Sequence, residues 1–477
     1  RCRTSMKHLI NGQLVEGKDR IFTVLDPATE EVIAQFHGID ATQAENVLQA
    51  AQNAFGIWSK LSIKERERYI LRFAEIIEAN RDKIIEMLIA ETGKSYEGAD
   101  EDYQMLVDCL RYFNEEMKTL QGVMLPDLDN KHVNMIIRKP VGVVVGYLAW
   151  NFPLLNLGYK LGPVLASGCT CVLKPSSQTP LTTMFIGELS VEAGMPAGVI
   201  NIIVGDNDLV GSIFNESSIP QLITLIGSTQ TGTKVMQQGA TSIKRYSLEL
   251  GGNAPALVLN DADIANAAAK ITGAKVGNGG QICVAPNRVF VHCAVMDEFL
   301  SHVMEILKDV DYCSGKCTNG KTQMIPLYSD RAVGAMEALV ADAVAKGAHV
   351  LTGGKRREGK GFFFEPTVLT GVTKDMRVYK EEIFGPIMPV ISFDDGDDIV
   401  SLANDTCYGL AAYIYTHDLK TAMNMSREID AGDVMVNEPC FCYNLPHGGC
   451  KQSGIGKDCS VFSLEEYFYL QRITIKL

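Results

Sequence analysis

The sequence predicts an α/β protein built from two large domains, and three observations carry that reading. At 477 residues the chain is longer than one ordinary hydrophobic core supports. From residue 141 onward, short β-branched runs alternate with helical segments, the rhythm of right-handed βαβ units over a mostly parallel sheet. After Cys283 the same alternation starts again.

Taken in order, residues 8–10 and 13–15 flank Asn11-Gly12, a dipeptide that tolerates the positive φ angles of a tight hairpin turn. Helices are expected next. Ser62 with Glu65 forms a capping box ahead of an amphipathic run, and Gly93 after Glu91-Thr92 marks a helix stop. This segment reads as scaffold. Strands are expected at 141–148, 170–173, 199–204, 222–226 and 256–259. The helical piece 181–193 ends at Gly194, where Met195-Pro196 prevents continuation. Beyond Cys283 come a strand at 288–291, helices near 296–308 and 331–346, and strands at 349–351 and 388–393. No internal repeat, low-complexity tract or long linker interrupts the chain, so the domain boundary is expected as a short crossing near Gly251-Gly252. The tail, 467–475, alternates like a strand and suits pairing with another subunit's sheet edge.

Composition bounds the function. Apolar residues make up 46% and charged residues 21%, the balance of a globular protein. A formal net charge of −13 argues against nucleic acid as a partner, since displacing counterions from a polyanion needs a basic field. Thirteen cysteines without a disulfide-like framework read mostly as reduced thiols, which points to the cytoplasm. The most apolar stretch, 141–155, is too short to span a bilayer and contains Asn151, so no membrane segment is expected. The chain opens on Arg1-Cys2-Arg3-Thr4-Ser5, the look of a trimmed end, which leaves any targeting peptide out of view.

Three local features carry chemistry. Cys283 closes Asn278-Gly279-Gly280-Gln281-Ile282-Cys283, where paired glycines let the backbone approach a ligand and leave the thiol on a turn. Glu249 ends an apolar run just before Gly251-Gly252, an expensive place for a carboxylate without a role. Asn151, in Trp150-Asn151-Phe152-Pro153, follows a buried strand, where ligand crevices of parallel sheets lie. Each alone has an ordinary alternative: a core thiol, a solvated Glu, a turn Asn.

Together they resemble the aldehyde dehydrogenase superfamily over nearly the whole chain, with Glu249 and Cys283 at the family's separation. Further matches are Leu173-Lys174-Pro175-Ser176, Gly227-Ser228-Thr229 with Gly232, Glu381-Glu382-Ile383-Phe384-Gly385-Pro386, Asn404-Asp405-Thr406 with Tyr408-Gly409-Leu410, and Gly448-Gly449 with Lys451 and Ser453-Gly454. The resemblance implies a Rossmann-like coenzyme domain (1–122 and 141–250), an α/β catalytic domain (251–452) and a small β bridging element for oligomerisation (123–140 and 467–477). The family lacks a usual Gly-x-Gly-x-x-Gly, and so does this chain.

The same resemblance implies NAD(P)-dependent oxidation of an aldehyde to an acid. Cys283 adds to the carbonyl as a thiolate, because a thiol is a weak nucleophile until its proton leaves. The Asn151 amide and the Cys283 backbone N–H donate to the resulting oxyanion. After transfer to the nicotinamide a thioester remains, and Glu249 activates water to hydrolyse it. For the coenzyme, Lys174 is implied at the adenosine ribose, Ser228 at the pyrophosphate, and Glu382 with Phe384 at the nicotinamide ribose and ring, with Gly227 and Trp150 as further cofactor-binding residues; the alternative for Lys174 and Glu382 is a surface ion pair. Ser177 stands where many NAD-specific members carry a glutamate, which removes repulsion against a 2′-phosphate and leaves NAD or NADP open.

For the substrate, Phe152, Tyr159 and Ile282 are the expected lining. Relatives that oxidise succinate semialdehyde commonly place an arginine where Tyr159 stands, and an aromatic there resembles the aminoaldehyde and betaine-aldehyde branch, whose cationic substrates aromatic faces attract. Pro446-His447-Gly448-Gly449 with Gly456-Lys457-Asp458 has the same flavour. An aminoaldehyde or small aliphatic aldehyde is therefore expected, with a semialdehyde as the alternative. Lys160 should turn roughly a quarter-turn from Tyr159. Cys313 with Cys317, and Cys440 with Cys442, have spacings a metal might use, but no His completes a finger-like set and no metal is expected. His447 beside two glycines reads as a packed or hydrogen-bonded loop residue. Rival readings are a CoA-acylating relative, against which Glu249 argues, and a non-catalytic crystallin-like relative, against which Cys283, Glu249 and Asn151 together argue. The family's bridging element implies a homodimer or homotetramer.

Overall fold

The computed structural model describes residues 6–317 and 322–477. The five opening residues, on which the trimmed-end reading falls, lie outside it. The first hairpin forms as expected: His8–Ile10 pairs antiparallel with Gln13–Val15, and Asn11 and Gly12 take φ of 52° and 73°. Helices do not follow at once. Ile21–Leu25 and Val32–His37 make a second hairpin, whose turn is fixed by Asp26 accepting from the Ala28 N–H at 2.8 Å. Ser62 then caps the helix Ile63–Ala79 in a reciprocal box with Glu65, and Gly93, at φ 70°, ends the helix Arg81–Thr92 in the left-handed region.

Eight strands form the first sheet, in the order Gln13–Val15, His8–Ile10, Ile200–Ile202, Thr170–Lys174, Val143–Tyr147, Pro220–Ile226, Arg245–Glu249 and Gly454–Ile455. The inner strands run parallel and both edges are antiparallel. Val143, Val144 and Val145 are fully buried, as strands covered on both faces must be, which is why this run is apolar without alternation. Connectivity leaves Val143–Tyr147 in one direction toward Thr170–Lys174 and returns on its other side at Pro220–Ile226. The carboxyl end of Val143–Tyr147 is therefore a topological switch point, the place where a crevice opens in such sheets, and Trp150 and Asn151 emerge there.

Leu250 to Asn253 carry the chain from the first sheet into a second, ordered His349–Thr352, Thr367–Thr370, Ile387–Phe393, Pro286–His292, Ala254–Val258, Ala411–Tyr415 and Asp433–Val436. It is parallel except for the His349–Thr352 edge. Phe290, Leu257 and Ile414 are fully buried in its core. A third, antiparallel sheet joins Phe468–Lys476, His132–Pro140 and Val123–Leu125, so the alternating tail is a strand that pairs within its own chain. Gly454–Ile455 crosses back to pair with the end of Arg245–Glu249, tying the late chain to the first sheet beside Glu249. Cys313 and Cys317, weighed above for a metal, are joined as a disulfide, whereas ten other cysteines among the described residues are free thiols. No helix among the described residues is long and apolar enough to cross a membrane.

Candidate active site

The two sheets bring the three chemistry-bearing residues to one cavity of about 760 Å³, lined by Asn151, Glu249 and Cys283 together. Asn151 precedes the helix Pro153–Ser167, whose Pro153 occupies the first turn, where a missing N–H costs nothing. Its Nδ2 donates to the Gln281 carbonyl at 3.0 Å, and the Asn278 side chain donates to the Asn151 carbonyl at 3.2 Å. The amide is thus fixed against the Cys283 loop, with its second N–H left for the cavity. Asn278, Gly279 and Gly280 take φ of 49°, 65° and 71° in succession, which turns the chain so that Cys283 is half-buried at the cavity wall. The Tyr413 hydroxyl donates to the Val284 carbonyl at 2.6 Å and pins the far side of that turn. Gly252 is needed for close approach: a Cβ there would lie 2.3 Å from the Cys283 carbonyl oxygen.

Glu249 is 5% exposed, and neither carboxylate oxygen accepts a hydrogen bond among the described residues. Burial raises its pKa above the usual carboxylate range, opposed by the imidazole of His447, whose Nε2 lies 3.8 Å away. His447 had read as a loop residue. It is hydrogen-bonded, but into the site: Nδ1 meets Asp433 Oδ2 at 2.6 Å, and the ring lines the cavity together with Cys283. Nothing in the local sequence marked Asp433, because it reaches the site only through the second sheet's edge strand. Lys160, beside Tyr159 in sequence, bonds Asp458 with its ammonium.

Trp150, Phe152, Tyr159 and Ile282 line the same cavity, as do Gly227, Ser228, Glu382 and Phe384. Trp150 and Phe384 meet edge to face at 5.4 Å. Ser228 caps the helix Thr229–Gly239 and is exposed at its positive end. Glu382 accepts from the Gly252 N–H at 2.9 Å, and its carboxyl is pushed up to about 7 by burial. Lys174 and Ser177 lie off the cavity, at the end of Thr170–Lys174 and in the turn after it. Lys174 is not a surface ion pair: it is buried, its amine bonds Asn207 at 2.5 Å, and burial pulls its pKa down to about 8. A helix N-terminus for phosphates, an ammonium and a carboxylate for ribose hydroxyls, and an aromatic pair for a flat ring form a donor set that fits a nicotinamide dinucleotide.

A doubly wound sheet facing a second α/β sheet, with a thiol, a carboxylate and an amide on the cavity between them, suits a dinucleotide-dependent oxidoreductase. The chain belongs to the aldehyde dehydrogenase family, whose sequence pattern matches residues 14–473, and is an NAD(P)-dependent enzyme of that family. It is 37% identical to a mitochondrial succinate-semialdehyde dehydrogenase of Arabidopsis thaliana over 98% of this chain and 88% of that one. Among solved structures, succinate-semialdehyde dehydrogenase from Burkholderia pseudomallei superposes with a TM-score of 0.96 at 35% identity, covering 99% of this chain and 98% of that one. Betaine aldehyde dehydrogenase from Staphylococcus aureus, in complex with NAD+, superposes at 0.94 with 32% identity, covering 98% and 94%. By name, these relatives favour the semialdehyde alternative over the aminoaldehyde reading.

Proposed function

We propose that the chain oxidises a small aldehyde to its acid by the hydrolytic route, with Cys283 as nucleophile, Asn151 and the Cys283 N–H as oxyanion donors and Glu249 as the base for water. The observation that carries it is the buried, unbonded Glu249 carboxylate on the cavity that holds Cys283. Water, not CoA, is the acyl acceptor such a base serves. The thiolate adds to the carbonyl carbon, and the displaced electron pair on oxygen is met by the Asn151 amide, already fixed by the Gln281 carbonyl. Bound NAD(P) would accept the electron pair that leaves the aldehyde carbon; Lys174, Ser177, Gly227, Ser228, Trp150, Glu382 and Phe384 would hold it. Acid formation without added CoA, together with loss of turnover in Cys283→Ser, tests the route.

For the substrate, the cavity lining favours a neutral or cationic far end. It includes Glu101, Gln104 and Asp108 and no Lys or Arg among the described residues, and Tyr159 and Phe441 supply aromatic faces. An aminoaldehyde or short aliphatic aldehyde fits this lining. The second reading, a semialdehyde carrying a carboxylate, rests on the names of the relatives. Turnover of aminobutyraldehyde, propionaldehyde and succinate semialdehyde with each coenzyme separates them: exclusive use of the last overturns the lining argument.

The third sheet exposes Met124, Leu470 and Ile475 along its strands, an apolar surface suited to a second copy, and we place a homodimer or homotetramer there. Sedimentation of Leu470→Lys against the parent measures it. The free cysteines fit a cytoplasmic setting.

A further inference from the structure

We propose that His447, oriented by Asp433, is a catalytic residue that takes the proton from Cys283 and holds the sulfur as a thiolate, leaving Glu249 free for the hydrolytic step. The geometry has the layout of a nucleophile, a base and an orienting carboxylate, assembled from three distant segments. Asp433 Oδ2 accepts from His447 Nδ1–H at 2.6 Å, which fixes the ring and leaves Nε2 facing the cavity. Nε2 lies 3.8 Å from Glu249 Oε2, and Cys283 lines the same cavity. The loop itself is held: the His447 N–H donates to the Asp458 carbonyl at 2.8 Å, and the Asp458 N–H returns to the His447 carbonyl at 2.7 Å. Phe441 packs edge to face on the ring at 5.6 Å. An imidazole placed so, aimed at a thiol and a buried carboxylate with no hydrogen bonds of its own, does more than fill a turn.

The steps balance. The Sγ–H bond of Cys283 breaks and an Nε2–H bond forms on His447, giving a thiolate and an imidazolium, the pair that makes sulfur nucleophilic at neutral pH. The thiolate forms its bond to the aldehyde carbon while the carbonyl π pair moves to oxygen. Bound NAD(P) would take the hydride from that carbon, leaving the acyl group on sulfur. Glu249 then takes a proton from water as the water oxygen bonds the acyl carbon, the C–S bond breaks, and the returning thiolate again faces the imidazolium. The titratable and charged groups around the ring are Asp433, Glu249 and Cys283, with the Lys160–Asp458 pair and Lys457 on the adjoining loop. Burial disfavours charge on the imidazole, but Glu249, Asp433 and Cys283 outweigh it and hold His447 well above the usual histidine range. The same imidazolium opposes protonation of Glu249.

The inference rests on Cys283 being the nucleophile of the proposed function. The test is the rate of carbamidomethylation of Cys283 by iodoacetamide in the enzyme without coenzyme, followed on its own peptide by mass spectrometry from pH 5.5 to 9 (roughly the range over which thiols and imidazoles titrate). An unassisted cysteine is only a few per cent thiolate at pH 7, so His447→Asn is expected to slow labelling there by roughly 20-fold. Across that range its labelling should depend on pH more steeply than the parent's. Asp433→Asn, which keeps the ring but loses the carboxylate, should show the same change in smaller degree and serves if His447→Asn does not fold. A pH profile for either folded variant that superimposes on the parent overturns the proposal. If labelling of Cys283 leaves turnover intact, the nucleophile assignment itself fails; if labelling abolishes turnover but the profiles superimpose, only the role of His447 fails.

Discussion

The Lys160 ammonium lies 2.6 and 2.7 Å from the two carboxylate oxygens of Asp458, with both side chains removed from water. This pair joins the helix that follows Asn151 to the loop that carries His447, two parts of the cavity wall 298 residues apart in the chain. Removing one partner strands the other charge in the interior, which costs roughly 3–5 kcal/mol. Asp458→Asn should therefore lower the urea midpoint substantially, and Lys160→Met with Asp458→Leu together should recover much of the loss. A midpoint for Asp458→Asn equal to the parent's would show that the pair is not a structural tie.

Glu249→Gln keeps the shape of the side chain and removes the proposed base. Addition and the redox step should survive, so the variant is expected to release about one equivalent of NAD(P)H per site in a burst and then to slow by about 10²–10⁴-fold, the usual contribution of a general base. Stopped-flow absorbance of the coenzyme shows the burst, and intact mass shows the acyl-enzyme. Steady turnover at the parent rate counts against the assignment.

The pH dependence of hydrolysis follows from the burial of Glu249. A general base acts when deprotonated, and burial raises its pKa, so deacylation should rise with pH through a window above the ordinary carboxylate range and fall as the pH drops through it. Single-turnover rates of thioester hydrolysis measure this limb. Glu249→Gln should flatten it.

Coenzyme choice turns on the residues beyond the cavity. Ser177→Glu places a carboxylate in the turn beside Lys174, where it repels a 2′-phosphate. The KM for NADP should rise at least about tenfold (like charges brought together cost upwards of a kcal/mol), while that for NAD changes little. Lys174→Met should weaken both if, as proposed, the ammonium holds ribose hydroxyls in either coenzyme. Initial-rate kinetics with both coenzymes separates the two effects.

Gly252→Ala adds a methyl group 2.3 Å from the Cys283 carbonyl oxygen, nearer than any real contact allows. The Cys283 loop must move, and since misplacement of about 1 Å can cost 10²-fold in rate, kcat should fall far more than stability. Comparing kcat with the thermal midpoint checks this.

The order of elements, the first hairpin, the capping box at Ser62 and the two α/β stretches were legible in the sequence because each depends on neighbours a few residues apart. The second hairpin was missed because its strands are short and half exposed, so their alternation is faint and only the turn at Asp26 marks them. Cys283 and Glu249 stood out because a thiol beside paired glycines and a carboxylate at the end of an apolar strand are unusual without a role.

By itself, the sequence determined the fold class, the residue types available for chemistry and the absence of a basic field, all properties set by local pattern and composition. Tertiary structure alone decided that Asp433 holds His447 on the cavity that Cys283 and Glu249 share, that Lys160 is neutralised by Asp458, and that no Lys or Arg lines the cavity among the described residues. Those relations join strands from two sheets and a late loop, and no periodicity in the chain encodes a distance between segments that meet only after both cores have packed.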